Sequence, residues 1–149
     1  MSIAVTLAGP DDIDRLEAMV AACHALQAVK TDRAWRLAAL GPLLKGLPHG
    51  AAYLIGPPKA PIGYVVISFG WSLELGGLDA CVDELFVREG VRGRGIGTEV
   101  LQRLVPSLAE GGVRALHLEV AQDNDRARAF YRRLGFQARS GYHLMTRRL

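Results

Sequence analysis

The spacing of hydrophobic residues changes along the chain and marks its helices and strands. Branched residues in Ile3–Leu7 predict a first strand, and the turn residues 9–12 that follow predict a helix start. Apolar residues then recur at three- and four-residue steps, which predicts an amphipathic helix over residues 12–28, with an inward face of Ile13, Leu16, Val20 and Cys23. The stretch from Trp35 to Leu44 predicts a second, less regular helix that ends at the glycines of residues 46–50.

The middle of the chain has the composition of strands. Ala51–Ile55, Ile62–Trp71 and Ala80–Arg88 are rich in branched and aromatic residues, with glycine and proline turns between them. Because the connections are short, the three segments are predicted to form an antiparallel meander.

The last third alternates between helices and strands. An apolar stripe from Ile96 to Leu108 predicts a helix that Pro106 should bend or shorten. Ala115–Val120 is predicted as a strand, a capped helix follows Asn124, and one or two strands finish the chain. The order β-α-α-β-β-β-α-β-α-β predicts an α/β fold of a single domain over residues 1–149, with one mixed sheet and helices on its faces.

The composition limits the class of protein. A chain of 149 residues with 50% hydrophobic and 22% charged residues suits one compact domain. Two widely separated cysteines and no recognisable signal peptide predict a cytoplasmic protein, and the broken apolar stretches predict no membrane segment. The formal charge of +3 does not by itself indicate nucleic acid, and the four histidines show no ligand spacing with either cysteine, so we expect no metal.

A glycine-rich loop, Arg92-Gly93-Arg94-Gly95-Ile96-Gly97, lies between a predicted strand and a predicted helix. Free amide N–H groups and the positive end of the helix dipole meet at such a position, and glycines let the backbone approach a phosphate. Residue 98 is Thr, which departs from the dinucleotide pattern G-x-G-x-x-G, and no G-x-x-x-x-G-K-[ST] occurs. The loop alone therefore fits either a phosphate site or an ordinary turn.

A second motif downstream favours the phosphate site. Arg92-x-x-Gly95-x-Gly97 precedes an amphipathic helix, and Asn124-x-x-Ala127-x-x-Phe130-Tyr131-x-x-x-Gly135-Phe136 follows. Together the motifs resemble the acetyl-CoA-binding signature of the GNAT N-acyltransferase superfamily, over residues 82–136. The resemblance implies a central, mostly antiparallel sheet with a splayed parallel strand pair, and acetyl-CoA as cosubstrate.

The resemblance also implies how acetyl-CoA is held. Backbone groups of Leu85, Phe86 and Val87 would bond the pantetheine amides, as in strand addition. The amides of the loop and the helix start would hold the pyrophosphate, a set comprising Arg92, Gly93, Arg94, Gly95, Ile96, Gly97 and Thr98. Asn124 and Arg126 would border the pantetheine and adenosine parts.

The catalytic groups follow from the same resemblance. Tyr131 matches the family's usual general acid, which protonates the departing thiolate, and Glu84 is the leading candidate for the base, acting directly or through a water. Glu119 on the next strand is the second candidate. His24 lies beside the apolar face of the first helix, where packing and a role in the acceptor wall are both open, whereas His117 and Cys81 are expected to be structural.

The acceptor is the least determined part. Trp71 and Glu74, with Asp79, Asp83 and Glu84, would form an acidic and aromatic mouth, which favours a small cationic amine. A protein or peptide amine is the alternative acceptor. A catalytically silent acyl-CoA sensor and an arginine-based nucleic-acid binder are the rival functions, and a homodimer paired through Tyr142–Leu149 would suit the family.

Overall fold

The computed structural model describes residues 2–149. These residues form two compact units, the first ending at Glu119 and the second comprising Val120–Leu149. The first unit contains the whole sheet and three helices, and the second contains one helix.

The first unit contains a five-stranded mixed sheet whose strands follow chain order, β1-β2-β3-β4-β5. Its strands are β1 (Val5–Leu7), β2 (Gly50–Ile55), β3 (Gly63–Ser72), β4 (Gly77–Val87) and β5 (Ala115–His117). Neighbours are antiparallel from β1 to β4, and β4 and β5 are parallel. The predicted mixed sheet with one parallel pair is confirmed.

Four α-helices accompany the sheet: α1 (Ile13–Leu26), α2 (Arg33–Leu44), α3 (Ile96–Glu110) and, in the second unit, α4 (Asp125–Arg133). A 3-10 turn at Pro10–Asp12 leads into α1, where Asp12 Oδ2 accepts the Gly9 N–H at 2.8 Å. Asp32 caps α2 by accepting the Trp35 N–H at 2.8 Å. Such carboxylates satisfy donors that a helix start leaves free.

One face of the sheet packs against α1 and α2. This core joins Tyr64 and Phe86 of β3 and β4 to the apolar faces of both helices, contributed by Leu16, Met19, Val20, Cys23, Leu40 and Leu44. Val65 and Ile67 alternate with Tyr64 and Val66 along β3 and are also fully buried. We infer that α3, with Val100, Leu101 and Leu104 buried, covers their side of the sheet.

Two predictions about elements were wrong, and a third was wrong in part. No strand follows α4, because residues 137–149 form no ladder with any described strand, and the pairing of Tyr142–Leu149 across a dimer stays a prediction. The predicted strand Ala115–Val120 ends at His117, which leaves Glu119 beyond it. Pro106 does not shorten α3, which continues to Glu110.

None of the helices within residues 2–149 is both long and apolar enough to cross a bilayer.

Candidate active site

A β-bulge in β4 determines the face on which Glu84 lies. Val66 of β3 is opposite Glu84, but Ile67 is opposite Val82, so Asp83 is an extra residue with no partner in the ladder. Directly paired residues share a face of the sheet. Glu84 therefore shares the α1 and α2 side with Phe86, whereas Val82 shares the opposite side with Ile67.

The carboxylate of Glu84 has a fixed partner on each oxygen. The hydroxyl of Tyr64 donates to Oε1 at 2.7 Å, and Nε2 of His24 lies 2.7 Å from Oε2. Desolvation, then Cys23 and Glu84, raise the pKa of Tyr64 far above its ordinary range, so this hydroxyl remains a donor at any working pH. An ionised carboxylate only accepts hydrogen bonds, so Nε2 of His24 carries the proton in this pair.

Further contacts hold the His24 ring on its Nδ1 side. Its Nδ1 lies 2.8 Å from Oγ1 of Thr31, and Nη1 of Arg36 donates to both the carbonyl oxygen and Oγ1 of Thr31. Nε of Arg36 donates at 2.9 Å to Glu17, which is only 5% exposed. A buried carboxylate needs such a partner, so Glu17 and Arg36 fix the start of α2 relative to α1.

An open cleft of about 440 Å³ lies beside this network. It is lined by residues of α1, α2 and their connection, namely Ala21, His24, Ala25, Val29, Lys30, Thr31, Asp32 and Arg36. His24 and Thr31 thus belong to both the cleft wall and the chain of contacts that leads to Glu84.

Asp83, next to Glu84, is within electrostatic reach of two other carboxylates. Asp83 is exposed, but desolvation by the surrounding chain raises the pKa of its carboxyl group. The negative charges of Glu84 and Glu119 raise this pKa further, and His24 lowers it. Desolvation, with Asp83, Glu119 and Asp79, likewise raises the pKa of the Cys81 thiol. Both base candidates named from the sequence, Glu84 and Glu119, are therefore within electrostatic reach of Asp83.

After Cys81, one side of the β4 backbone has no neighbouring strand among the described residues. The parallel pairing with β5 ends at Cys81 and His117, whereas β4 continues to Val87. Arg88 donates its N–H to Ile62 at 2.8 Å. Hydrogen-bonded pairs alternate along an antiparallel ladder, so the backbone groups of Leu85 and Val87 point away from β3, whereas those of Phe86 point towards it.

The loop before α3 presents a row of free N–H groups. Gly93 and Gly95 have φ of +80° and +73°, and the first amide of this helix to bond back is Glu99, which donates to Gly95. Within residues 2–149, the N–H groups of residues 93–98 donate to no protein acceptor. The Arg92 side chain bonds the Val87 carbonyl at 2.7 Å and lies 5.6 Å from the Phe86 ring centre, so only its backbone faces the loop.

The second unit contains the remaining predicted site residues. Asn124 caps α4 by accepting the Ala127 N–H at 3.1 Å, and Arg126 lies in the first turn with its side chain exposed. The Tyr131 ring makes edge contacts with Phe130 and Phe136 at 5.0 and 5.8 Å, and burial raises the pKa of its hydroxyl. Tyr131 is therefore protonated at neutral pH, as a proton donor must be.

Trp71 and Glu74, which were predicted to line the acceptor mouth with Glu84, lie away from it in the structure. Trp71 is opposite Leu78 in β4, about 20 Å along the strand from Glu84 at roughly 3.3 Å per residue. It lines a separate groove with Gly77 and Arg114, and Glu74 lies in the nearby hairpin turn. His117 pairs with Asp79 at 3.2 Å, which agrees with a structural role.

Cys23 and Cys81 are both free thiols. Within residues 2–149, no three His, Cys, Asp or Glu side chains lie close enough together to hold a metal ion.

Three contributors to this site were not predicted: Tyr64, Thr31 and Arg36. Tyr64 was assigned only to a strand, and its position opposite Phe86 depends on the register of β3 and β4. One usable signal was present, because a tyrosine inside an otherwise aliphatic strand needs a partner for its hydroxyl.

The mixed sheet, whose parallel pair β4 and β5 ends at Cys81 and His117, is followed by a helix start rich in free N–H groups, and together they define a class of acyl-CoA-dependent acetyltransferase folds. The model of the "Acetyltransferase (GNAT) family" matches residues 18–136. The chain belongs to this family.

Relatives and a solved structure agree with the family. N-alpha-acetyltransferase RimI of Mycobacterium tuberculosis is 46% identical over 56 residues, 38% of this chain and 34% of that protein. Thialysine N-epsilon-acetyltransferase of Bos taurus is 30% identical over 84 residues, 55% of this chain and 49% of that protein. The chain thus spans less than half the length of the curated relatives it matches.

The integron cassette protein HFX_CASS3, from the mobile metagenome of Cole Harbour Salt Marsh, superimposes with a TM-score of 0.83 at 30% identity. The alignment covers 97% of this chain and 90% of that one, so the similarity of fold extends well beyond the motifs.

Proposed function

We propose that the protein is an N-acetyltransferase that transfers the acetyl group of acetyl-CoA directly to a primary amine in a ternary complex. The observation that carries this proposal is the row of free N–H groups of residues 93–98 at the start of α3. Such a row, at the positive end of a helix, binds a phosphate anion, and in a GNAT family member that anion is the pyrophosphate of CoA.

The strand before this loop would hold the pantetheine arm. The outward N–H and C=O groups of Leu85 and the outward N–H of Val87 are suited to hydrogen bonds with pantetheine amides. Phe86, whose backbone points towards β3, would contribute its ring to the core instead. Asn124 and Arg126 would border the rest of the cosubstrate. Because the family match crosses from the first unit into the second, we treat residues 1–149 as one catalytic domain.

Glu84 is the proposed base. An ammonium acceptor must lose a proton before its nitrogen can attack, and Glu84 would take that proton onto a carboxylate oxygen, directly or through one water. The amine nitrogen then forms a bond with the thioester carbon while the carbon–sulfur bond breaks. The partners on both oxygens of Glu84 orient the carboxylate for this role.

Tyr131 is the proposed acid. Its hydroxyl would give a proton to the departing CoA thiolate. This proton balances the one that is removed from the amine. The raised pKa of Tyr131 supports this role because the hydroxyl keeps its proton throughout the neutral range.

A small cationic amine is the proposed acceptor. Glu84 and Glu119 both lie within electrostatic reach of Asp83, and this local negative charge favours a cation over a neutral or acidic amine. The thialysine acetyltransferase acts, by its name, on a small amine, whereas the name of RimI indicates an α-amine, so a protein or peptide amine is the competing acceptor.

The acceptor is tested by following CoA thiol release from acetyl-CoA with matched panels of acceptors. The panels are small diamines and lysine analogues, their neutral and acidic counterparts, and peptides with a free N-terminus. We expect the highest kcat/KM with the small cations. Higher values with acidic amines, or with peptides whose side chains are uncharged, would contradict this acceptor.

Two variants test the chemistry. Glu84→Gln should lower kcat about 100- to 1,000-fold, the typical contribution of a general base, while the Kd for CoA stays unchanged. Glu89→Gln, on an exposed turn after β4, is the control and should be unaffected. Tyr131→Phe should lower kcat, with the exposed Tyr142→Phe as its control. CoA binding without turnover for any amine would instead indicate the silent sensor.

A further inference from the structure

We propose that His24 is a positioning residue for the base: its Nε2–H holds the Glu84 carboxylate in the orientation and charge state in which it can accept the ammonium proton. This proposal rests on the proposed function, because it assigns a role towards Glu84. It starts from the 2.7 Å contact between Nε2 and Oε2, which joins helix α1 to strand β4.

The hydrogen bonds around His24 run in one direction. Arg36 has only donors, so Oγ1 of Thr31 accepts from it, and the Thr31 hydroxyl is left to donate to Nδ1 of His24. Nδ1 then lacks a proton and Nε2 carries one, which it donates to Glu84. The Thr31 hydroxyl and Nε2–H of His24 each donate to one acceptor, so the ring has a single favourable tautomer and orientation.

His24 is also well restrained for a residue that lines a cleft. Its side chain is 14% exposed and that of Glu84 is 20% exposed, so little water competes for their contact. The contacts of Nδ1 lead through Thr31 to the buried ion pair of Arg36 and Glu17, which joins α2 to α1. Because both ring nitrogens have partners, the direction in which Nε2 points is determined.

The charged and titratable groups around Glu84 make this donor important. Asp83, next to it on β4, and Glu119, after β5, add negative charge near the site. Cys23 of α1 and Tyr64 of β3 face it as neutral groups. With like charges nearby, the donors of His24 and Tyr64 are what hold the Glu84 carboxylate in one orientation.

The two amide substitutions of His24 separate this role from packing. In His24→Gln the amide nitrogen reaches the position of Nε2 and can still donate to Glu84. In His24→Asn the shorter amide reaches only the position of Nδ1 and can contact Thr31 but not Glu84. Both are neutral and polar, and His49→Gln, at an exposed position, is the control for loss of a histidine.

The test is steady-state kinetics of the full chain from pH 5.5 to 9.5 with acetyl-CoA and the best amine of the panel. We expect His24→Gln to keep kcat within about threefold of wild type. We expect His24→Asn to lower kcat about 10- to 100-fold with little change in the KM for acetyl-CoA, and to move the acid limb of kcat/KM about one pH unit upward.

Equal kcat values and acid limbs for the Gln and Asn variants would overturn the proposal, whatever their common level. If His24→Asn does not fold, as judged by thermal unfolding, a loss of kcat or an upward shift of the acid limb in His24→Gln would also overturn it. Failure of the proposed function looks different, because the wild-type protein itself would then release no CoA with any amine.

Discussion

The Tyr64 hydroxyl donates to Oε1 of Glu84 at 2.7 Å across neighbouring strands, from a side chain that is fully buried. The two residues are not directly paired in the sheet, because Glu84 is opposite Val66 and Tyr64 is opposite Phe86. The diagonal contact therefore depends on the register that the bulge at Asp83 creates.

Removal of this hydroxyl should affect both stability and catalysis. Tyr64→Phe leaves Oε1 of Glu84 without its donor, so we expect a loss of about 1–3 kcal/mol in the free energy of unfolding and a lower kcat. Urea unfolding and thiol-release assays would measure the two effects. Tyr53→Phe on β2 is the matched control, since its hydroxyl has no hydrogen bond within residues 2–149, and it should stay within about 0.5 kcal/mol.

The glycine at the start of α3 should be needed for CoA binding. Gly95 has a φ of +73°, and a side chain in this left-handed region costs roughly 1–2 kcal/mol. Gly95→Ala should therefore weaken CoA binding about tenfold by calorimetry, because the loop relaxes away from the geometry that presents its N–H groups.

Gly90→Ala is the control for this effect. A Cβ at Gly90 meets nothing within 4 Å, and its φ is not in the left-handed region. Equal CoA affinities for the two alanine variants would argue against CoA binding by the free N–H groups of this loop.

Close approach of two strands should make Gly63 irreplaceable. A Cβ at this position would collide with the carbonyl oxygen of Phe86, which belongs to the backbone and cannot rotate away. Gly63→Ala should lower the free energy of unfolding by about 1–3 kcal/mol. Gly111→Ala, whose φ of −76° suits alanine, should be neutral or stabilising by up to about 1 kcal/mol.

The charge of Asp12 should make part of the stability depend on acid pH. The Gly9 N–H holds the pKa of Asp12 below its ordinary value, against some desolvation, and Arg15 lowers it further. A lowered pKa stabilises the folded state above the ordinary value of 3.8, and this contribution disappears as the pH falls through the folded value.

Asp12→Asn should therefore cost about 0.5 kcal/mol at pH 7, and the difference from wild type should be smaller at an acid pH below the lowered pKa of Asp12. Denaturant titrations at both pH values would measure this. Asp11→Asn is the control, and it should show a smaller change at pH 7. A loss for Asp12→Asn that is the same at both pH values would contradict the role of the charge.

The sequence was informative where one local pattern determines the structure. The apolar period of α1 predicted residues 12–28 against the observed Ile13–Leu26, and the glycines before α3 predicted the loop that bears the free N–H groups. Each of these depends on a few neighbouring residues.

The sequence was uninformative where residues far apart must meet. The contact of His24 with Glu84 joins residues that are 60 positions apart, and the strand register that excludes Trp71 from the site becomes known only once β3 and β4 are paired. The C-terminal strands were predicted from the composition of residues 142–149, but a strand forms only with a partner edge, which composition does not report.

The bulge at Asp83 changes which residues of β4 share a face of the sheet. Ala80 and Val82 lie on one face of the sheet, whereas Glu84 and Phe86 lie on the other. The change of face occurs at Asp83, the single residue without a partner in β3. If Asp83 were paired in a regular ladder, Glu84 would lie on the side of Val82, away from His24, and the Phe86 ring would turn out of its core. Deleting Asp83 would instead remove the bulge and leave Glu84 opposite Val66, so at this position β4 can lose one residue without exchanging its two faces.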